Sequence, residues 1–258
     1  MRAFRPALAL VVLVTLVVAS PGARAETTAP IKLAYVEGDI GGTQTIWSED
    51  GKRVIGLIEY RQLRKKDLLV VSRTAHFKDG SSDSDEAEVR VGGDRLESIR
   101  GRMTIRNTKG KATVDLKIDV AAKRVTGFYT DDGKRREVDE ELDIGPGTYW
   151  GPLFAITLKN FAANADGDAL VFSTVAVTPK PRALDMRFTR VGPAKITRIG
   201  GAVAATRFTL LPTVNFLIDP ILKRFVPETN FYVDGEKPPT IVRFVGPRNY
   251  AGQTMRLD

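Results

Sequence analysis

The chain has no cysteine and a single histidine, His76. Without cysteine there is no disulfide, no thiolate nucleophile and no sulfur ligand for zinc, so the core alone must hold the fold. With one imidazole, a Ser-His-Asp set would have to use His76 as its base. Ser72 lies four residues upstream on the same strand face, too far along an extended chain to serve as its nucleophile. No G-x-S-x-G turn occurs. A zinc site on one histidine would need carboxylates or water at its other positions, which is unusual for that metal. The acidic run from Asp79 to Glu88 offers oxygen ligands but lacks the spacing of a calcium loop, and it reads as a solvated hairpin tip. No catalytic residue, no metal and no cofactor is therefore expected.

Long hydrophobic runs are equally scarce. One stands out, the 12-residue stretch from Ala7 to Val18, apolar but for Thr15, well short of the ~20 needed to cross a bilayer. Arg2 and Arg5 precede it, Pro21 and Gly22 follow, and Ala23-Arg24-Ala25 supplies a small-x-small site. That is the order of a secretory signal peptide. The expectation is cleavage after Ala25, a periplasmic location, and one β-rich domain from residue 26 to 258 with no transmembrane helix. No cysteine is present for lipid modification, and no Arg-Arg pair marks a twin-arginine route. Processing removes three arginines and no acid, which takes the net charge from +8 to +5. The basic runs Arg61 to Lys66 and Lys134 to Arg136 are short and sit beside turn signals, so nucleic acid is not an expected partner.

What is present in abundance is alternation. In Val114 to Val120 the residues Val114, Leu116, Ile118 and Val120 share one face, while Asp115, Lys117 and Asp119 share the other, the signature of a half-buried strand. Arg102 to Arg106 and Leu184 to Arg190 read the same way. Further strands are predicted at 31–36, 53–60, 68–77, 87–91, 124–129, 169–177, 194–199, 204–211, 230–233 and 240–245. Turn signals such as Lys78-Asp-Gly80, Thr130-Asp-Asp-Gly133 and Asp234-Gly235 separate many of them. Short strands at this spacing predict a mainly β fold: an antiparallel, strongly curved sheet or half-barrel with one or two short covering helices. One helix is predicted after Pro152, with Leu153, Ile156, Thr157 and Phe161 on one face. A second is predicted from Asp219 to Phe225, with Asp219 as cap and Pro220 at the first position.

Aromatic and apolar residues concentrate around these helices. Tyr149, Trp150, Phe154 and Phe161 flank the first and Phe216 precedes the second. They either pack the helices onto the sheet or line an apolar cavity for a lipid-type ligand. Arg243 and Arg248 near the C-terminus either fix an anionic head group or tie down the last strand. The layout of hairpins with covering helices resembles proteobacterial periplasmic domains of the lipoprotein-carrier type, open half-barrels whose helices cover an apolar concave face. The resemblance implies a non-catalytic binding or carrier protein for a hydrophobic ligand or an envelope protein partner, with Tyr149, Trp150, Phe154, Phe161, Phe216, Arg243 and Arg248 as candidate ligand residues. The alternatives are an outer-membrane β-barrel and a periplasmic hydrolase using carboxylates or a metal.

Overall fold

The computed structural model describes residues 26–35, 38–164, 167–177, 180–198, 201–213, 228–248 and 253–258. A short strand β1 (Glu26–Thr28) is followed by an antiparallel meander: β2 (Ile40–Ser48), β3 (Val54–Lys65), β4 (Leu68–Phe77), β5 (Ser82–Gly92), β6 (Arg95–Arg106), β7 (Ala112–Asp119), β8 (Arg124–Asp131) and β9 (Lys134–Glu141). Helix α1 (Leu153–Asn164) leads to a second meander: β10 (Ala169–Val177), β11 (Pro181–Arg198), β12 (Gly201–Pro212), β13 (Thr229–Asp234), β14 (Ile241–Pro247) and β15 (Thr254–Leu257). The two meanders join where β15 pairs with β2, through Leu257 with Ile46, Arg256 with Trp47 and Met255 with Ser48. β1 adds in parallel to β10. The result is one mainly antiparallel, curved sheet that does not close into a barrel; β1 and β9 are its edges.

The alternation of the sequence becomes the two faces of this sheet. On β7, Val114, Leu116 and Ile118 are buried while Lys117 and Asp119 are exposed. The inward residues of β4 to β8 and of β10 to β13 meet in one core, with α1 and its lead-in packed between them. Helix α1 has no acid in its first turn and no base in its last, and Leu153, Ile156, Thr157, Leu158, Asn160 and Phe161 are buried. It is stabilised by burial on most sides, as an apolar helix inside a fold must be.

Several expectations need correction. Residues 31–36 do not form a strand over the described part of that range. Lys32 makes one isolated bridge to Arg95, and the amides of Ala34 and Tyr35 both donate to Asn160 Oδ1 of α1. A helix side chain thus satisfies amides that a ladder would otherwise take. The strands predicted at 184–190 and 194–199 are one, β11, whose register shifts between Arg190 and Gly192. Of the acidic run only Asp79 and Gly80 form the exposed hairpin turn. Ser82 to Glu88 belong to β5, and Asp83 and Asp85 point into the concave side. The helix predicted at 219–225, like residues 1–25 and Phe216, lies outside the described residues.

The outer face of the first meander is charged. Glu88, Arg100, Asp119 and Arg124 stand in one cross-strand row, and Glu86, Arg102 and Lys117 in the next. Arg100 bonds Glu88 at 2.8 Å and Arg102 bonds Asp115 at 2.7 Å. Such exposed pairs contribute little each. Facing lipid, however, each arginine would cost about 2–4 kcal/mol at the bilayer midplane, so β5 to β8 present no lipid-compatible band. Among the described residues no helix is long and apolar enough to cross a membrane.

These pairs set the acid behaviour. Hydrogen bonds from Arg102, Arg124 and Ser81 hold the carboxyls of Asp115, Asp139 and Asp79 below the usual range. Burial pushes Asp258 up, but its bonds with Arg256 and Arg243 more than offset this and leave it lowered. A carboxyl lowered by folding contributes stability above its unfolded pKa and loses it as pH falls through the folded value. The melting temperature is therefore expected to stay level from neutral pH to about pH 5 and to fall below about pH 4. A thermal-melt series across pH checks this; a flat profile to pH 2 would show that the pairs do not matter.

Candidate binding site

The concave face is where a ligand would be sought, and most of it is filled by the chain itself. Tyr149 and Trp150 are fully buried. The Tyr149 hydroxyl donates to the Leu96 carbonyl at 2.8 Å and accepts from the Ile31 amide at 3.0 Å. The Trp150 indole donates to the Glu86 carbonyl at 3.2 Å, and its ring lies against Gly101, where any Cβ would overlap it. The lead-in to α1 is thus bolted to β5 and β6 through backbone carbonyls. Gly151 follows at φ +45°, and the space its absent side chain leaves is taken by Asp85.

From Tyr149 an aromatic relay crosses the second meander. Phe172 lies 5.9 Å from Tyr149 and 5.3 Å from Phe188; Phe188 lies 5.5 Å from Phe231, and Phe231 lies 5.0 Å from Phe244. Phe154, half-buried, packs on Phe172 and Phe188, and Phe161 meets Phe208 edge-on. Tilted and edge-to-face pairs at these distances are favourable beyond area burial. Four candidate ligand residues, Tyr149, Trp150, Phe154 and Phe161, therefore sit within packed core.

The two arginines hold carboxylates of this chain. Arg248 grips both oxygens of Asp83, at 2.8 and 2.9 Å, donates to Ser81, and stacks on the Phe77 ring. Arg243 bonds Asp258 and donates to the Thr197 carbonyl at 2.7 Å. Bidentate pairing of this kind fixes geometry strongly, and here it pins the C-terminal segment to β5 and to the β11–β12 hairpin. A second concave pair joins Arg73 to Asp85.

The filling stops at one corner. Ile40, Gly42 and Gln44 of β2 pair with Gln62, Tyr60 and Ile58 of β3 and so point to the concave side. Gln62 and Ile58 are buried, yet all three β2 residues are exposed, Ile40 at 39%. Behind them the Tyr60 hydroxyl donates to Gln62 Oε1 at 3.1 Å, and Gln62 Nε2 donates to the Gly38 carbonyl at 2.9 Å. Burial pushes the Tyr60 phenol well up, so it stays a neutral donor. A wide groove lies over Asp39 to Thr43 and Glu59 to Leu63. Beside it a narrow crevice under α1, lined by Leu33, Tyr35, Gln62, Ile156, Lys159 and Pro238, has room for about one water molecule. Burial pulls the Lys159 ammonium pKa down.

Chemically this corner offers the neutral Tyr60 hydroxyl and the Gln62 amide beside an exposed apolar side chain, Ile40. Among the described residues no three His, Asp or Glu side chains converge as a metal site. His76 is exposed on the outer side of the sheet, opposite Leu57 and Ser82. Sequence reasoning missed the corner because Ile40 to Thr45 shows no alternation of apolar and polar residues. The available signal was Gly41-Gly42 followed by Thr-Gln-Thr, β-tolerant but with nothing to bury.

No protein-family model matches the chain, and a search of curated proteins finds no match. Among solved structures, a beta-barrel-like protein of the domain of unknown function DUF1849 from Brucella abortus is similar in shape, with a TM-score of 0.47 and 6% sequence identity over 88% of this chain and 95% of that one. Function therefore has to come from the geometry of this chain.

Proposed function

We propose that this chain is exported and serves, without catalysis, as a binding protein of the bacterial envelope that engages its partner at the open corner of β2. The supporting observation is the exposure of Ile40, Gly42 and Gln44 on a face that is otherwise packed with the chain's own side chains. The signal-like residues 1–25 support a periplasmic location for it. In the lipoprotein-carrier layout that the sequence resembles, helices cover an apolar concave face; here α1 and the aromatic relay fill it, which favours a surface-bound partner over an enclosed cargo. A second reading, a small hydrophobic ligand, draws on the apolar wall that Leu33, Leu69 and Ile156 give the crevice.

The test is site-specific photo-crosslinking in the native envelope. The protein should appear in the soluble osmotic-shock fraction with a mature mass starting at Glu26. A benzophenone side chain at position 44 should give a discrete adduct, and one at position 137 on the charged β9 edge should give none. Equal adducts at both positions, or none at either, would overturn the reading. A stoichiometric lipid in native mass spectra would replace it by the second.

A further inference from the structure

Resting on that reading, we infer that the corner takes an extended polypeptide segment, which adds to the sheet as a strand along β2 in line with β15. The first ground is the pairing. β15 lies between β14 and β2, bonding Phe244 to Pro247 on one side and Ile46 to Ser48 on the other. Its row ends at Leu257. Beyond it, among the described residues, β2 has no partner for Ile40 to Thr45 on that edge, and β14 has none for Ile241 to Arg243 on the side away from β13. An edge of unpaired N–H and C=O groups is a template for another strand, and β15 already shows the position such a strand occupies.

The second ground is how differently the two kinds of edge are protected. β9 carries a charge at every position except Val138, the usual defence of an edge strand. Ile40 to Thr45 carries no charge and no proline. The third ground is Gly41 and Gly42. Neither has positive φ; a Cβ at Gly42 would meet nothing within 4 Å, and one at Gly41 only the Tyr60 carbonyl at 3.8 Å. Nothing inside the fold requires glycine there, and glycine weakens a strand interior. Glycine in such a place marks the close approach of another backbone.

The alternation of β2 sets the chemistry of the occupant. Its residues opposite Ile40, Gly42 and Gln44 would face the concave side near Tyr60, Ile241 and Phe244, which asks for apolar side chains at every second position. Those opposite Gly41 and Thr43 would face outward beside Arg61 and Glu59, where polar groups of either sign are suited. The partner is thus an extended segment of about six residues with period-two apolarity.

The probe is a fluorescein-labelled octapeptide alternating Val and Thr between terminal lysines, titrated into the full chain and read by anisotropy. Wild type should bind it, and the same peptide N-methylated at its four central residues should bind about tenfold more weakly or worse. Gly41→Val with Gly42→Val should melt no lower than wild type yet lose a similar factor in affinity. Equal affinity for the methylated peptide, or no binding to wild type, overturns strand addition, and the methylation result decides the matter even if the double variant loses stability. Binding of the chain to anionic phospholipid vesicles with no peptide binding overturns it likewise. A position-44 adduct with indifference to methylation leaves the corner as a site and removes only the strand.

Discussion

Trp150→Ala is expected to destabilise the protein by about 3–5 kcal/mol, a fall in melting temperature of about 2–4 °C for each kcal/mol in a chain of this size. The indole is fully buried, it holds the Glu86 carbonyl, and its ring lies against the backbone at Gly101. Removing it leaves a cavity walled by backbone, which collapses poorly. The loss should be seen in the ligand-free protein, and wild type should show no uptake of a fluorescent fatty acid. The opposite pair of results, a small loss with tight uptake by wild type that Trp150→Ala abolishes, would restore a ligand cavity beside this ring. Phe154→Ala is the companion measurement, because Phe154 bridges Phe172 and Phe188 at the half-buried start of α1.

Gly127→Ala is expected to be nearly as damaging, and for a different reason. Gly127 lies mid-strand in β8 at φ +133°, a conformation that side chains rarely adopt, and a Cβ there would overlap the Asp115 carbonyl oxygen of β7. The backbone conformation alone costs about 1–3 kcal/mol in a residue other than glycine. Displacing the neighbouring strand adds about 1–3 kcal/mol of overpacking. Chemical denaturation compared with Gly133→Ala, where positive φ applies but nothing lies within 4 Å, separates the two contributions. Equal losses at both positions would show that the clash with β7 is relieved at no cost.

Where the sequence alternates, the sheet could be read with accuracy. Val114 to Val120, where apolar and charged residues alternate, falls on β7 and its turn, because a buried face forces apolar residues to every second place. The segments predicted at 68–77 and 169–177, rich in β-branched and apolar residues without strict alternation, are β4 and β10 to the residue. Alternation fails where a strand has no face to bury. β9 is almost wholly charged because it is an edge, and β2 begins with Ile-Gly-Gly-Thr-Gln-Thr because its first half is exposed on both faces. The residues of the proposed corner were therefore the least legible. The aromatic candidates were visible as a cluster, but composition does not distinguish a filled interior from a lined one. That difference lies in Phe172 and Phe188 of the β10–β11 hairpin and Phe231 and Phe244 of the β13–β14 hairpin, which only the sheet register brings together. For Arg243 and Arg248, both carboxylate binding and strand anchoring were legible; that the carboxylates are Asp258 and Asp83 depends on long-range register.

In the described sheet every pairing but two joins strands that follow one another along the chain; the exceptions are β1 with β10 and β15 with β2. Each meander can accordingly order itself hairpin by hairpin, with little loop entropy to overcome. The three residue pairs between β15 and β2 are different, for they bring together parts of the chain more than two hundred residues apart. They form a short zipper between the two meanders, which the shared core and the Arg248–Asp83 pair also hold together. A strand lying beside β2 would lengthen that zipper from its free end. Whatever binds there would also act as a clasp, adding its binding free energy to the contacts that already join the two meanders.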